Sequence, residues 1–207
     1  MKDLTVAWSR PVEEHAGTRL VVALHGRGAD ERSMLPLAAY LGDGVTVAAP
    51  RGPVALGGGV YTWFENRGIG RPVEASISAS ADLILEWLDA AASGFCSIVL
   101  LGFSGGTAMG GGLLLREPSR FAGSVLLSGT LPWDAGFDAS PGRLAGRPVF
   151  FGHDPADAVI PPHLIARSLT WLRDESGAAL SEHAYPGLGH GISAEELDEI
   201  ARFVAEL

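Results

Sequence analysis

The sequence predicts an α/β domain in which a mostly parallel central sheet of about seven strands carries helices on both faces. Short runs rich in Val, Leu and Ile alternate along the chain with longer stretches of helical periodicity, which is the pattern of repeated strand–helix units. Several of the short runs are apolar at nearly every position. Strands have this composition when helices cover both faces of a parallel sheet.

Seven segments have the length and composition of strands: 4–8, 19–24, 45–49, 97–101, 123–127, 148–152 and 180–185. Helices are expected at 33–41, 77–92, 107–116, 161–173 and 193–207. The last opens with Ser193 and Glu196 in the spacing of a capping box. Segments 53–59 and 130–147 are rich in Gly, Pro and Asp, so they are expected to be long loops.

Length and composition favour one globular domain over residues 1–207, with 47% hydrophobic and 19% charged residues. A net charge of −9 and the lack of a basic cluster argue against a nucleic-acid partner. Cys96 is the only cysteine, so no internal disulfide is possible and a reducing, cytoplasmic location fits best. Cys96 is also expected to be a small core residue. No apolar run suits a signal peptide or membrane insertion, and no Cys/His cluster has metal-ligand spacing.

The motif Gly102-Phe103-Ser104-Gly105-Gly106 follows the predicted strand 97–101 and precedes a predicted helix. A strand–turn–helix context of this kind is typical of a nucleophile elbow, where a sharp turn exposes a serine hydroxyl. Glycines are needed at Gly102 and Gly106 because a Cβ there would collide as the helix packs against the strand. Ser104 is therefore the candidate nucleophile.

A nucleophilic serine needs a histidine base and an acid that orients it, and both follow the serine in chain order in this type of fold. His190 lies in a glycine-flanked loop after the last predicted strand, and it is preferred to His153, which breaks the expected order. Asp157 follows the strand 148–152 and is preferred as the acid, with Asp154 as the alternative. Both loops lie where parallel strands end, which is the usual site edge of an α/β sheet.

The tetrahedral intermediate of such a reaction needs backbone N–H donors for its oxyanion. One is expected from Gly105, which follows the nucleophile, and the other from Arg27, in the loop after the strand 19–24. His25 is expected to hold that loop by hydrogen bonds. The Arg27 side chain is assigned no chemistry by the sequence alone.

Taken together, the motifs at 24–30, 102–106, 157–161 and 189–190 resemble those of the phospholipase/carboxylesterase family, which includes the acyl-protein thioesterases. The resemblance implies an α/β-hydrolase fold, a triad of Ser104, Asp157 and His190, and an oxyanion hole of Arg27 and Gly105. It also implies that no cofactor is needed and that members sometimes form homodimers. Its substrate-side segments are matched by Trp63-Phe64 and by the segment that contains Leu131. Gly105 is a departure, since many members carry glutamine there.

The expected activity is that of a serine hydrolase (EC 3.1 class) that cleaves small or medium acyl carboxylic esters through an acyl-enzyme. An acyl thioesterase or a lysophospholipase would use the same groups. A ligand-binding protein of the same fold is the non-catalytic alternative. Trp133 and Phe137 could either line an acyl pocket or pack beneath a loop.

Overall fold

A computed structural model describes residues 4–207 and confirms the predicted fold class. Nine strands are present: β1 (Val6–Trp8), β2 (Arg19–Leu24), β3 (Val45–Pro50), β4 (Val54–Gly57), β5 (Val60–Thr62), β6 (Ser97–Phe103), β7 (Gly123–Leu127), β8 (Pro148–His153) and β9 (Ala179–Ala184). Seven of them form one sheet in the order β1-β3-β2-β6-β7-β8-β9. All of its pairs are parallel except β1 with β3, so the carboxyl ends of six strands meet at one edge, called the carboxyl edge below.

Helices cover both faces of this sheet: α1 (Ala38–Leu41), α2 (Glu74–Ala91), α3 (Gly105–Arg116), α4 (Pro162–Asp174) and α5 (Ala194–Ala205). Successive side chains of β2 point to opposite faces of the sheet, and each face carries its own hydrophobic core. Leu20 and Leu24 pack with α2, α3 and α4, whereas Val21 and Ala23 pack on the other face with α1 and α5. The central strands are therefore apolar on both sides, as their composition predicted.

Three local predictions need correction. Of the predicted helix at 33–41, only α1 is an α-helix. A 3-10 turn at Leu35–Leu37 precedes it, and Pro36 in that turn has no N–H to donate. The predicted loop at 53–59 contains most of the β4–β5 hairpin, whose mostly exposed side chains leave no hydrophobic alternation to detect. Cys96 is exposed just before β6, so it is not a core residue.

The capping box at the start of α5 is half formed. Ser193 Oγ accepts the Glu196 N–H at 3.1 Å, as the spacing predicts. The Glu196 carboxyl group does not accept the Ser193 N–H, as the second bond of a capping box requires. It is fully buried against Gly152 of β8. The predicted loop at 130–147 is confirmed, since it contains neither α-helix nor strand.

Candidate active site

Four loops meet at the carboxyl edge, and each carries one part of the site expected from the sequence. They follow β2, β6, β8 and β9, which supply the segment around Arg27, Ser104, Asp157 and His190 respectively. These residues are far apart in the chain, and the parallel pairing of the strands is what brings them to one place.

Ser104 lies in a strained turn between β6 and α3. Its φ of 55° and ψ of −113° lie in a region that residues with a Cβ rarely adopt. A Cβ on Gly102 would overlap the carbonyl group of Gly106, and one on Gly106 would overlap the carbonyl group of Leu24. The strand and the helix are therefore as close as the backbones allow, and the turn holds the Ser104 side chain above the sheet edge.

A threonine that sequence reasoning missed fixes the start of α3. The Thr107 hydroxyl accepts the Leu127 N–H at 3.1 Å and lies 2.8 Å from the Gly102 carbonyl, to which it can donate. Ser104 also donates its own N–H to the Leu127 carbonyl at 3.0 Å. The turn is thus tied to both β6 and β7. The only sequence signal was a polar residue within an otherwise Gly- and apolar-rich helix.

Ser104, His190 and Asp157 form one chain of hydrogen bonds. His190 Nε2 lies 3.0 Å from Ser104 Oγ, and His190 Nδ1 lies 2.8 Å from Asp157 Oδ2. Asp157 Oδ1 accepts the N–H groups of Val159 and Ile160 at 2.7 and 3.0 Å, which holds the carboxylate in place. An ionised carboxylate can only accept, so the proton of the imidazole is on Nδ1 and the Nε2 lone pair faces the serine.

The two alternatives left open by the sequence lie elsewhere. Asp154 accepts the N–H groups of Ala156 and Gly189 at 2.8 and 2.6 Å, and these bonds lower the pKa of its carboxyl group. It therefore anchors the loop that carries His190 without touching the imidazole. His153 is buried away from Ser104, and burial lowers its pKa.

The amide groups of Arg27 and Gly105 lie side by side next to Ser104. A Cβ built on Gly105 would be 3.3 Å from the Arg27 amide nitrogen. Neither N–H has a hydrogen-bond partner among residues 4–207, so both remain available to a ligand. Gly105 is also the first residue of α3, where the positive end of the helix dipole favours a developing negative charge.

His25 holds the loop that carries Arg27. Its Nδ1–H lies 2.8 Å from the Gly26 carbonyl, and its Nε2 accepts the Gly52 N–H at 3.0 Å. The side chain is fully buried, and this desolvation lowers its pKa, so the ring stays neutral. This is the structural role that the sequence analysis expected.

A model of the family described as Phospholipase/Carboxylesterase matches residues 11–207. The chain belongs to the phospholipase/carboxylesterase family. Its relatives and structural neighbours include carboxylesterases and acyl-protein thioesterases, and this member is a hydrolase of the esterase class.

Two curated relatives and two solved structures show how far the likeness extends. Acyl-protein thioesterase 1 of Candida albicans is 25% identical over 95% of this chain and 95% of its own length, and a probable carboxylesterase of Oryza sativa subsp. japonica is 28% identical over 90% and 87%. The carboxylesterase structures from Bacillus cereus and Mesorhizobium loti superpose with TM-scores of 0.82 and 0.83. The Bacillus cereus match is 22% identical and covers 99% of this chain and 95% of that one. The Mesorhizobium loti match is also 22% identical and covers 100% of this chain and 98% of that one. At this identity the two structures support the fold alone.

In this family member, a cavity of about 320 Å³ opens beside Ser104. Phe64 and Leu131, two of the residues expected to contact substrate, are part of its wall. The expectation for Trp63 is wrong, because its side chain is fully buried and its indole N–H donates to the His25 carbonyl at 2.7 Å. Thr62 and Phe64 line the cavity, and the intervening Trp63 points away from it and supports the loop that carries Arg27.

Trp133 and Phe137 do not line the cavity of this esterase, so the packing alternative applies to them. The Trp133 indole is buried and donates to Ser168 Oγ at 3.2 Å. Phe137 packs against the main core from the long loop after β7. Among residues 4–207, no helix is long and apolar enough to cross a membrane, and no group of His, Cys, Asp or Glu side chains is arranged to hold a metal ion.

Proposed function

We propose that this family member is a serine esterase in which Ser104 is the nucleophile, His190 the general base and Asp157 the orienting acid. The observation that carries the proposal is the hydrogen-bond chain from Ser104 through His190 to Asp157, at one end of an open cavity. The amides of Arg27 and Gly105 would form the oxyanion hole, since both are unpaired among residues 4–207 and lie close together beside the serine.

The reaction would proceed through an acyl-enzyme. His190 Nε2 removes the Ser104 proton as Oγ attacks the carbonyl carbon, and the oxyanion is stabilised by the two amides. The imidazolium then gives its proton to the leaving alcohol, while Asp157 stabilises its charge. Water, activated by the same histidine, attacks the acyl group and releases the acid, which regenerates the Ser104 hydroxyl.

The cavity supports small or medium acyl groups as the substrate class. Its volume of about 320 Å³ is at the lower end of common ligand sites, and apolar side chains such as Phe64, Leu131 and Ile160 make up much of its wall. Thioesters are the second candidate because a full-length relative is named acyl-protein thioesterase 1. A lysophospholipase would use the same groups, whereas a binding protein has no need of an aligned proton relay.

The proposal treats residues 1–207 as one catalytic domain that works in the cytoplasm without a metal or cofactor. A single cysteine, exposed at position 96, fits a reducing compartment. The family resemblance also allows a homodimer, which light scattering of the purified protein would detect.

The test is a panel of chromogenic acyl esters and matched thioesters of increasing chain length. We expect turnover that is highest for short or medium chains, and a Ser104→Ala variant that loses on the order of 10⁵-fold or more in kcat. Ser93→Ala is the control, because this exposed serine lies before β6, at the opposite end of the strand. Turnover that survives Ser104→Ala would remove the nucleophile, and tight retention of an intact ester without cleavage would favour the binding protein.

A further inference from the structure

The cavity beside Ser104 differs in charge from the rest of the protein. The chain carries 24 acidic and 15 basic residues, for a net charge of −9. Among residues 4–207, no Asp or Glu lines the cavity, and Arg27 is the only ionisable residue in its wall besides His190. A substrate that enters this cavity therefore meets one positive side chain and no negative one.

Arg27 is also without an ionic partner. Among residues 4–207, no carboxylate lies within 4.0 Å of its guanidinium, and that group donates no hydrogen bond to the protein. Two other arginines have carboxylate partners: Arg51 pairs with Glu31 at 2.7 Å, and Arg167 pairs with Asp134 at 3.4 Å. The charge of Arg27 is not used to hold the fold together, so it is available to a ligand.

The position of Arg27 ties its charge to the reacting carbonyl. Its amide is the proposed oxyanion donor, and its Cβ would lie 3.7 Å from a Cβ built on Gly105. The side chain thus begins at the oxyanion hole itself and is exposed at the cavity mouth. A group of the substrate that lies a few bonds from the scissile carbonyl falls within the reach of the guanidinium.

We propose that the Arg27 side chain makes this enzyme prefer esters that carry an anionic oxygen group, a carboxylate or a phosphate, close to the scissile bond. This inference rests on the proposed esterase function and adds the substrate class. A guanidinium donates two parallel hydrogen bonds to such a group, and at the mouth of a partly apolar cavity the contact is less screened than on an open surface. The apolar wall that includes Leu131 would hold the rest of the substrate.

The experiment compares neutral esters with esters that carry an anion in the corresponding place, and it follows how each variant changes that comparison relative to the parent enzyme. On the acyl side, 4-nitrophenyl butyrate is paired with the mono-4-nitrophenyl ester of succinic acid. On the leaving-group side, the butyrate ester of 4-hydroxyacetophenone is paired with the butyrate esters of 4-hydroxybenzoate and of 4-hydroxyphenyl phosphate. The readout is the ratio of kcat/KM for the anionic ester to that for the neutral ester. A ratio is required because any shift of the Arg27 amide would affect both esters alike.

We expect Arg27→Gln to lower this ratio by about fivefold to tenfold for at least one anionic ester, and Arg27→Lys to keep part of the preference. Salt at about 0.5 M should lower the ratio in the parent enzyme, because it screens the contact. Arg32→Gln is the matched control, since Arg32 is an exposed arginine of the same loop that does not line the cavity. The side on which the ratio falls identifies the part of the substrate that bears the anion.

An unchanged ratio in Arg27→Gln for every anionic ester would overturn the inference, as would an equal fall in Arg32→Gln. Either result leaves the esterase proposal intact if Ser104→Ala still abolishes turnover of the neutral esters. If the parent enzyme cleaves none of the esters, neutral or anionic, the esterase proposal itself fails. The two failures are therefore distinguishable in one set of assays.

Discussion

Asp157 and Glu196 are both carboxyl groups buried near the carboxyl edge of the sheet, but they have opposite surroundings. The Asp157 side chain is inaccessible to solvent and accepts hydrogen bonds from Val159, Ile160 and His190. Glu196 is also fully buried, yet neither of its oxygens has a partner among the described residues. One acid has its charge stabilised by three donors, and the other has none.

Burial, with a smaller contribution from the nearby charge of Glu199, raises the pKa of Glu196 to about 7. The donors around Asp157 hold its carboxyl group in one orientation, with one oxygen directed at His190. The comparison shows that burial alone does not make an active-site acid. The number of N–H groups directed at the carboxylate decides whether a buried acid serves chemistry or costs stability.

Of three substitutions that test this comparison of buried acids, Asp157→Asn is expected to have the largest effect. An amide in this place cannot stabilise the imidazolium and favours the wrong imidazole tautomer, so kcat should fall on the order of 10³-fold to 10⁴-fold, the scale found for this replacement in a serine protease. Steady-state kinetics would show the loss in kcat with little change in KM. A loss below tenfold would mean that Asp157 does not orient His190.

The next effect concerns stability at Glu196. A carboxyl whose pKa is raised by folding carries no penalty below its ordinary value of 4.5; the penalty grows as pH rises to about 7 and is constant above that. The full penalty is at most about 3 kcal/mol. Glu196→Gln cannot ionise, so its free energy of unfolding relative to the parent should increase by up to that amount between pH 4.5 and pH 8.

Urea unfolding at several pH values would measure this difference, with Glu195→Gln as the control on the exposed side of the same helical turn. The Glu195 variant should follow the parent at every pH. Parallel curves for Glu196→Gln and the parent would show that Glu196 ionises in the folded state at no cost, and the contrast with Asp157 would disappear.

The smallest effect is expected at Asp154, the acid that anchors the His190 loop. Asp154→Asn places an N–H group or a weaker acceptor opposite the Gly189 N–H, while the bond between His190 and Asp157 remains. We expect a fall of about tenfold in kcat, because the imidazole is less well positioned, and a small loss of thermal stability. A loss as large as that of Asp157→Asn would mean that the two aspartates share the orienting role.

These acids also show where sequence reasoning ended. The elbow around Ser104 could be predicted because a strand, a Gly-x-Ser-x-Gly turn and a helix are contiguous in the chain. The sequence favoured Asp157 but left Asp154 as an alternative, because both lie in one loop; in the structure each accepts the N–H of the residue two positions later. Only the path of the loop after β9 determines which of them meets His190.

The wall of the cavity beside Ser104 also could not be predicted in full from the sequence. Trp63 and Phe64 are adjacent, and the family resemblance implied that both contact substrate. The structure turns Phe64 to the cavity and Trp63 to His25, at a bend of the chain just after β5. Which of the two faces the ligand depends on where β5 lies relative to β2, and these segments are far apart in the chain.

The amino-acid sequence determined the layered fold, the order of the site-bearing loops and the serine turn, because each depends on local periodicity or on steric limits within a few residues. The tertiary structure alone decided which aspartate contacts the imidazole. It also decided that, among the described residues, Glu196 is buried without a hydrogen-bond partner and Arg27 has no counter-ion. Those three features depend on distances between chain segments that only the folded sheet brings together. The distance between two charged groups sets their interaction energy in a poorly solvated interior, and a local sequence pattern does not predict that distance.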